Sequence, residues 1–232
     1  MKLCIIYSIV SLVLTVSTFG GCGSPENSQP ASPSITSDSG SSSSRSEQPS
    51  TGELSSATHQ SAAAAPTTEA FAGKVAEIPG TIEAENFNEG KPGVAYSDQD
   101  EKNLGAKDYR GPTQVDIEQR DDASGGFGVG WTRTGEWLAY TIRVKETGIY
   151  DLQIPVASDK QGGTFHLEFN GKDVTGPIDV PDTGGWENLQ TISIEGLQLQ
   201  KGVQEMKLVM DVQGGSGSIG DIDCLRFTAQ PQ

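Results

Sequence analysis

The chain has little of what most metal and nucleophile chemistry requires. Its 232 residues include two His and three Cys, too few for an imidazole or thiolate zinc site and enough for one disulfide at most. Basic residues are also scarce: 16 Lys+Arg stand against 31 Asp+Glu, a net charge of −15. That balance opposes the phosphate contacts that dominate nucleic-acid affinity, so nucleic acid is excluded as a partner. Hydrophobic residues make up 34% and aromatic ones 6%, so part of the chain cannot contribute to a core. No segment shows convincing period-3.6 patterning, which argues against a large helical protein. Also missing are a Gly-x-Ser-x-Gly elbow, a Ser/His/Asp arrangement with plausible partners, and a phosphate-cradling glycine loop ahead of a helix. Glycoside hydrolysis needs two carboxyl groups about 5–10 Å apart across a cleft. With so many acids such pairs can always be drawn, and the sequence marks none. The expectation is a non-enzyme.

What is present begins with an address. Lys2 precedes an apolar run, Leu3–Phe19, which ends at Gly20-Gly21-Cys22. A short basic start, an apolar stretch and small residues are the signature of an export signal. Phe19-Gly20-Gly21-Cys22 resembles a bacterial lipobox, with Phe19 where Leu is usual, so Cys22 is the expected lipidation site and mature N-terminus. The resemblance implies a membrane partner through the lipid anchor, at the outer membrane or cell surface. Residues 1–21 are then the signal peptide. Residues 22–74 are rich in Ser, Thr, Pro and Ala, including Ser41–Ser44 and Ala62–Ala65, and bury too little to fold. About 50 such residues span roughly 40 Å as a flexible tether. The tract is read as a solvated linker, with O-glycosylation the alternative. Cys4 leaves with the signal and Cys22 is modified, so Cys224 remains as a lone thiol, expected to be a small buried hydrophobe.

From Val75 to Gln232 the pattern changes to short alternating runs separated by Gly, Asp, Asn and Pro, the mark of an all-β sandwich or barrel. Leu138, Tyr140, Ile142 and Val144 alternate with Trp137, Ala139, Thr141 and Arg143, placing the first set on one face of a strand. Phe165, Leu167 and Phe169 alternate with His166 and Glu168 in the same way, and Asn170-Gly171 predicts a hairpin turn. Further strands are expected at 81–86, 114–118, 150–156, 189–194, 206–212 and 218–227. Gly125–Gly128 and Gly214–Gly217 read as turns.

The run Ile82-Glu83-Ala84-Glu85-Asn86 resembles the opening strand of family 6 carbohydrate-binding modules. Four more features follow in that family's order: Gly128-Val129-Gly130-Trp131, Gly135-Glu136-Trp137-Leu138-Ala139-Tyr140, Thr183-Gly184-Gly185-Trp186, and Asp221-Ile222-Asp223 before Leu225-Arg226-Phe227. The resemblance implies a jelly-roll β-sandwich, a structural Ca²⁺ and non-catalytic polysaccharide binding. It makes Trp131 and Trp186 the two walls of a loop-end cleft. The residues agree: both Trp sit among glycines and acids, a wet setting for an indole, and sugar C–H faces stack on indole rings. Asp221 stands where the family usually has Asn, and an ionised Asp only accepts hydrogen bonds.

A second surface is implied by members that bind glycan on the concave face; the matching positions are Trp137 and Glu168, with His166 beside them. The resemblance also places calcium at Glu83, Glu85 and Asp223, where converging carboxylates make a hard-oxygen site. Glu83 and Glu85 are expected on one face of the opening strand. The expected function is polysaccharide binding by a surface-anchored lipoprotein. A stand-alone glycoside hydrolase and an envelope scaffold with a protein partner are the other two classes.

Overall fold

The computed structural model describes residues 68–105 and 109–231. The segment expected to be an export signal, Cys22 and nearly all of the expected tether lie outside the described residues. In chain order the strands are β1 (Ala76–Ile78), β2 (Gly80–Glu83), β3 (Tyr96–Ser97), β4 (Ile117–Gln119), β5 (Phe127–Val129), β6 (Trp137–Val144) and β7 (Gly148–Ser158). They continue with β8 (Thr164–Phe169), β9 (Lys172–Asp173), β10 (Ile178–Asp179), β11 (Gly185–Leu199), β12 (Gly202–Val212), β13 (Asp221–Ile222) and β14 (Cys224–Ala229). Short 3-10 turns at Phe71–Gly73 and Ser124–Gly126 complete the elements. Among the described residues no helix is long and apolar enough to cross a membrane.

Two sheets form, as expected for an all-β sandwich. One runs β1-β6-β12-β8-β10, with β3 on β6 and β9 on β8; the other runs β2-β14-β7-β13-β5-β4, with β11 on the free edge of β7. Alternation accounts for the packing of the first sheet. Leu138, Tyr140, Ile142 and Val144 are buried, and the register sets Leu138 beside Leu208, and Leu208 beside Leu167. Across the sandwich, Leu152, Ile154 and Val156 of β7 face the same core, and Phe169 meets Phe227 edge-to-face at 6.4 Å. Burying one such side chain is worth about 1.5–3 kcal/mol, which makes this apolar layer the main source of stability. The predicted turn at Asn170-Gly171 joins β8 to β9, both residues having positive φ (51° and 74°) as a two-residue hairpin requires.

The differences from expectation have local causes. The fold begins ahead of Val75: Glu89 N–H donates to the Glu69 carbonyl at 2.8 Å, and Asn88 Nδ2 donates to Thr68 Oγ1 at 2.5 Å. Of the run 125–128, read as a turn, only Gly125 and Gly126 lie in the 3-10 turn; Phe127 and Gly128 belong to the strand β5. The run 218–227 divides at Asp223 into β13 and β14. Glu85 is not on the opening strand; β2 stops at Glu83 and Glu85 lies in the turn that follows. Cys224 is buried and free.

Candidate functional site

Where β4, β5, β11 and β13 end together, a cleft of about 380 Å³ opens, lined by Glu118, Trp131, Arg133, Trp186, Glu187, Asp221 and the Ser216–Ser218 turn. The structure therefore brings Trp131, Trp186 and Asp221 into one place. Trp131 follows Gly130 off the end of β5 and is 42% exposed. Its backbone is left-handed, φ 49°, an arrangement that costs a bulky residue on the order of 1–3 kcal/mol and persists only when neighbours hold it. They do: Gly130 N–H donates to the Asp116 carbonyl at 2.9 Å, and Thr132 Oγ1 donates to the Gly220 carbonyl at 2.8 Å.

Trp186 enters by a different device. Along β11 the pairing with β7 slips between Gly185 and Gln190, and such a bulge frees residues from the ladder and re-aims them. Gly184, at φ 82°, makes the preceding turn, and its N–H donates to Asp182 Oδ1 at 2.8 Å.

Asp221 sits on the cleft floor. Arg120 Nη1 donates to it at 3.0 Å and to Glu118 at 2.8 Å. Burial pushes the Asp221 carboxyl up to about 7, the Glu118 charge adding to the rise and Arg120 opposing it. Arg120, which binds the cleft floor from below, is a residue that the sequence reading missed. Burial works against its charge, yet the hydrogen bonds and charges of Asp122, Glu118 and Asp221 outweigh that and raise its pKa. The glycines before Trp131 leave the room these groups occupy: a Cβ on Gly128 would lie 3.1 Å from Arg120 Cδ, and one on Gly130 only 2.8 Å from Asp221 Oδ1. Glu118 and Glu187 were also missed; the acid-rich run Glu118–Asp122 around a single Arg was the available signal.

The second surface is arranged differently. Trp137 and His166 both pair with Val209, and Glu168 with Lys207, so all three candidates share the outer face of their sheet. Lys207 Nζ stands 4.3 Å from the Trp137 ring centroid, covering one face of the indole with a cation. His166 Nδ1 lies 2.8 Å from Asp211 Oδ1, and its Nε2 3.6 Å from Glu168 Oε1. Partial burial disfavours the charged ring, but Asp211, Asp173 and Glu168 together raise the His166 pKa. His166 and Asp211 are hydrogen-bonded to each other, while Glu168 reaches the ring only as a longer ion pair.

The acid cluster lies where β2 meets β14. Glu83 and Asp223 come together with the Cys224 thiol, ligand atoms within 4.8 Å of one another. Glu85 is not in that tight group, though a Cβ on Gly125 would lie 3.2 Å from its Oε1 and 3.5 Å from Glu83 Cδ. Ser124 donates through Oγ to Glu83 at 2.9 Å and through N–H to Asp223 at 2.7 Å. Glu83 Oε2 and Glu85 Oε2 are buried with no hydrogen-bond partner, and Glu85 is 1% exposed. Burial pushes Glu85 up to about 8, with Glu83 and Asp223 adding to the rise. Burial likewise raises Glu83 and Asp223. Orphaned buried carboxylate oxygens fit a hard cation with several oxygen ligands, as Ca²⁺ has. The thiol does not belong to that set: burial pushes its pKa up, leaving a proton that it donates to Asp223 Oδ2 at 3.3 Å.

Compared with known proteins, residues 105–229 match the family model for carbohydrate binding module (family 6). The clotting factor G alpha subunit of Tachypleus tridentatus is 38% identical over 94 residues, 40% of this chain and 14% of that protein. The chain thus spans a small part of the curated relative it matches. A β-1,3-glucan-binding family 6 module from Bacillus halodurans has a similar fold, with TM-score 0.50 and 23% identity over 67% of this chain and all of that one. The C-terminal family 6 module of the laminarinase LamC from Zobellia galactanivorans is 28% identical, with TM-score 0.47, covering 64% and 97% of the two chains.

Proposed function

The chain belongs to the carbohydrate-binding modules of family 6, and from that premise we propose that it binds polysaccharide without cleaving it. The sugar ring lies between Trp131 and Trp186, with Asp221 on the cleft floor accepting hydroxyl hydrogen bonds. One observation carries this reading: two indoles from separate elements, one 42% exposed and held in a left-handed backbone, face one sugar-sized cleft with a polar floor. Stacking supplies binding energy, and the few convergent polar groups supply orientation. One or two stacked rings correspond to a Kd of about 10⁻³–10⁻⁵ M. Anchored through Cys22 at a cell surface, many copies would gain avidity and gather polysaccharide or attach the cell to it.

Calcium at Glu83, Glu85 and Asp223 belongs to the same proposal in a structural role. The cation would neutralise the buried Glu85 and Asp223 and the half-buried Glu83, and clamp the end of β2 to the junction of β13 and β14. That junction also positions Asp221.

A glycan array with the chain in calcium, run beside its Trp186→Ala variant, tests the reading. β-1,3-glucan, which the Bacillus halodurans module binds, leads the panel. Retention lost in the variant supports the cleft; retention unchanged in the variant refutes it. Release of reducing ends from any polysaccharide would favour a hydrolase instead.

A further inference from the structure

Arg120 lies beneath the cleft, its side chain 5% exposed. All of its N–H groups are engaged. Nε and Nη2 donate to Asp122 at 3.0 and 2.9 Å, Nη1 to Glu118 at 2.8 Å and to Asp221 at 3.0 Å, and Nη2 to the Trp186 carbonyl at 2.7 Å. A guanidinium has five donors in a fixed plane, so this one is used up within the protein. It does not bond to sugar. Four of its bonds join acids, which a structural charge partner would also do. The fifth is different, because it reaches across 66 residues to the backbone of a cleft wall. Trp186 sits where β11 has slipped off its ladder, with no residue of β7 paired to it in the register.

We infer that Arg120 is a positioning residue for glycan binding, fixing the Trp186 wall and the Asp221 floor relative to each other through one planar guanidinium. This rests on the cleft reading above. It explains the small residue at Gly128, where a Cβ would press on Arg120 Cδ. It also explains how a carboxylate is accommodated at 221: Arg120 binds Oδ2 and leaves the other oxygen beside Gly130. A lysine cannot substitute, since one ammonium cannot reach acids and carbonyl in the same planar arrangement.

The test uses the full chain. With Trp131→Phe and Trp137→Phe, Trp186 is the only indole of the three, and its acrylamide quenching reports how firmly it is held. Asp221→Asn is the reference, because removing Arg120 alone leaves the buried Asp221 carboxylate unpaired and the chain unstable, whereas Glu118 and Asp122 are partly open to solvent. Arg120→Met is then added to Asp221→Asn. The inference expects the combined variant to melt close to the reference, to be quenched about twofold more readily, and, with native indoles restored, to bind laminarin oligosaccharides at least tenfold more weakly. Arg120→Lys should also weaken binding. Quenching equal to the reference, or altered quenching with unchanged laminarin affinity, overturns the inference and leaves Arg120 as a structural charge partner. Quenching equal to the reference overturns the inference even if laminarin is not the sugar. Failure of the cleft reading looks different: Trp186→Ala would then bind laminarin as well as wild type does.

Discussion

Two surfaces of this sandwich carry tryptophan beside carboxylates, and they differ in what the indoles are free to do. In the cleft, Trp131 and Trp186 come from a left-handed loop residue and a slipped strand, and their rings face open space. On the outer sheet face, Trp137 is held in the regular ladder of β6 and lies under the Lys207 ammonium, while His166 is hydrogen-bonded to Asp211 and ion-paired with Glu168. Residue type alone would rate the two alike. The lesson is that a binding surface is marked by side chains whose best partners are missing, and irregular backbone is what leaves them so.

The contrast can be broken by substitution. Trp186→Ala and Trp131→Ala should each weaken glycan binding by about thirtyfold or more, the loss of roughly 2 kcal/mol expected for an anchoring aromatic. Trp137→Ala should change affinity less than twofold by calorimetry. Equal losses at all three positions would make the outer face a second site.

The next effect separates support from recognition. In EDTA, Glu85 carries a folded-state pKa of about 8 against an ordinary 4.5, so folding takes up a proton. That contribution to stability is complete below about pH 4.5 and is lost as pH rises through about 8. The chelated chain should therefore melt at a falling temperature from pH 5 to pH 8.5. Calcium, which displaces the proton, should raise the melting temperature by several degrees at pH 8.5 and by little at pH 5. Superimposable melts with calcium and with EDTA at both values would remove the metal from the account.

Gly130→Ala tests the cleft floor: its Cβ would sit 2.8 Å from Asp221 Oδ1, and displacing that carboxylate should cost about tenfold in affinity with both indoles intact. The smallest effect is Lys207→Ala. It uncovers one face of Trp137 and removes a cation–π contact worth about 0.5–1 kcal/mol. Trp137 fluorescence should change while affinity stays within twofold.

Much of this was legible from residue order. Alternation in β8 and the Asn170-Gly171 turn are local properties, and both survived folding; in β6 the expected core set is buried, but Ala139 and Thr141 of the opposite set are buried with it. The two cleft tryptophans stood out because glycines and acids around an indole leave it without a local core. What escaped was set by long-range pairing. β5 hides among glycines because its strand character comes from pairing with β4 and β13. Glu85 left the strand because β2 pairs with β14 only as far as Glu83. Arg120 reads as an ordinary surface charge until folding brings it to Asp221, 101 residues away. The covering of Trp137 by Lys207 likewise needs the β6–β12 register, which no spacing in the chain announces.

The three indole N–H groups give three separate resonances in a ¹⁵N–¹H spectrum, so one titration with a glycan retained on the array reads both surfaces at once. The account predicts large shifts for Trp131 and Trp186 that saturate together, with Trp137 unmoved. A saturating shift of Trp137 with the other two unchanged would contradict it.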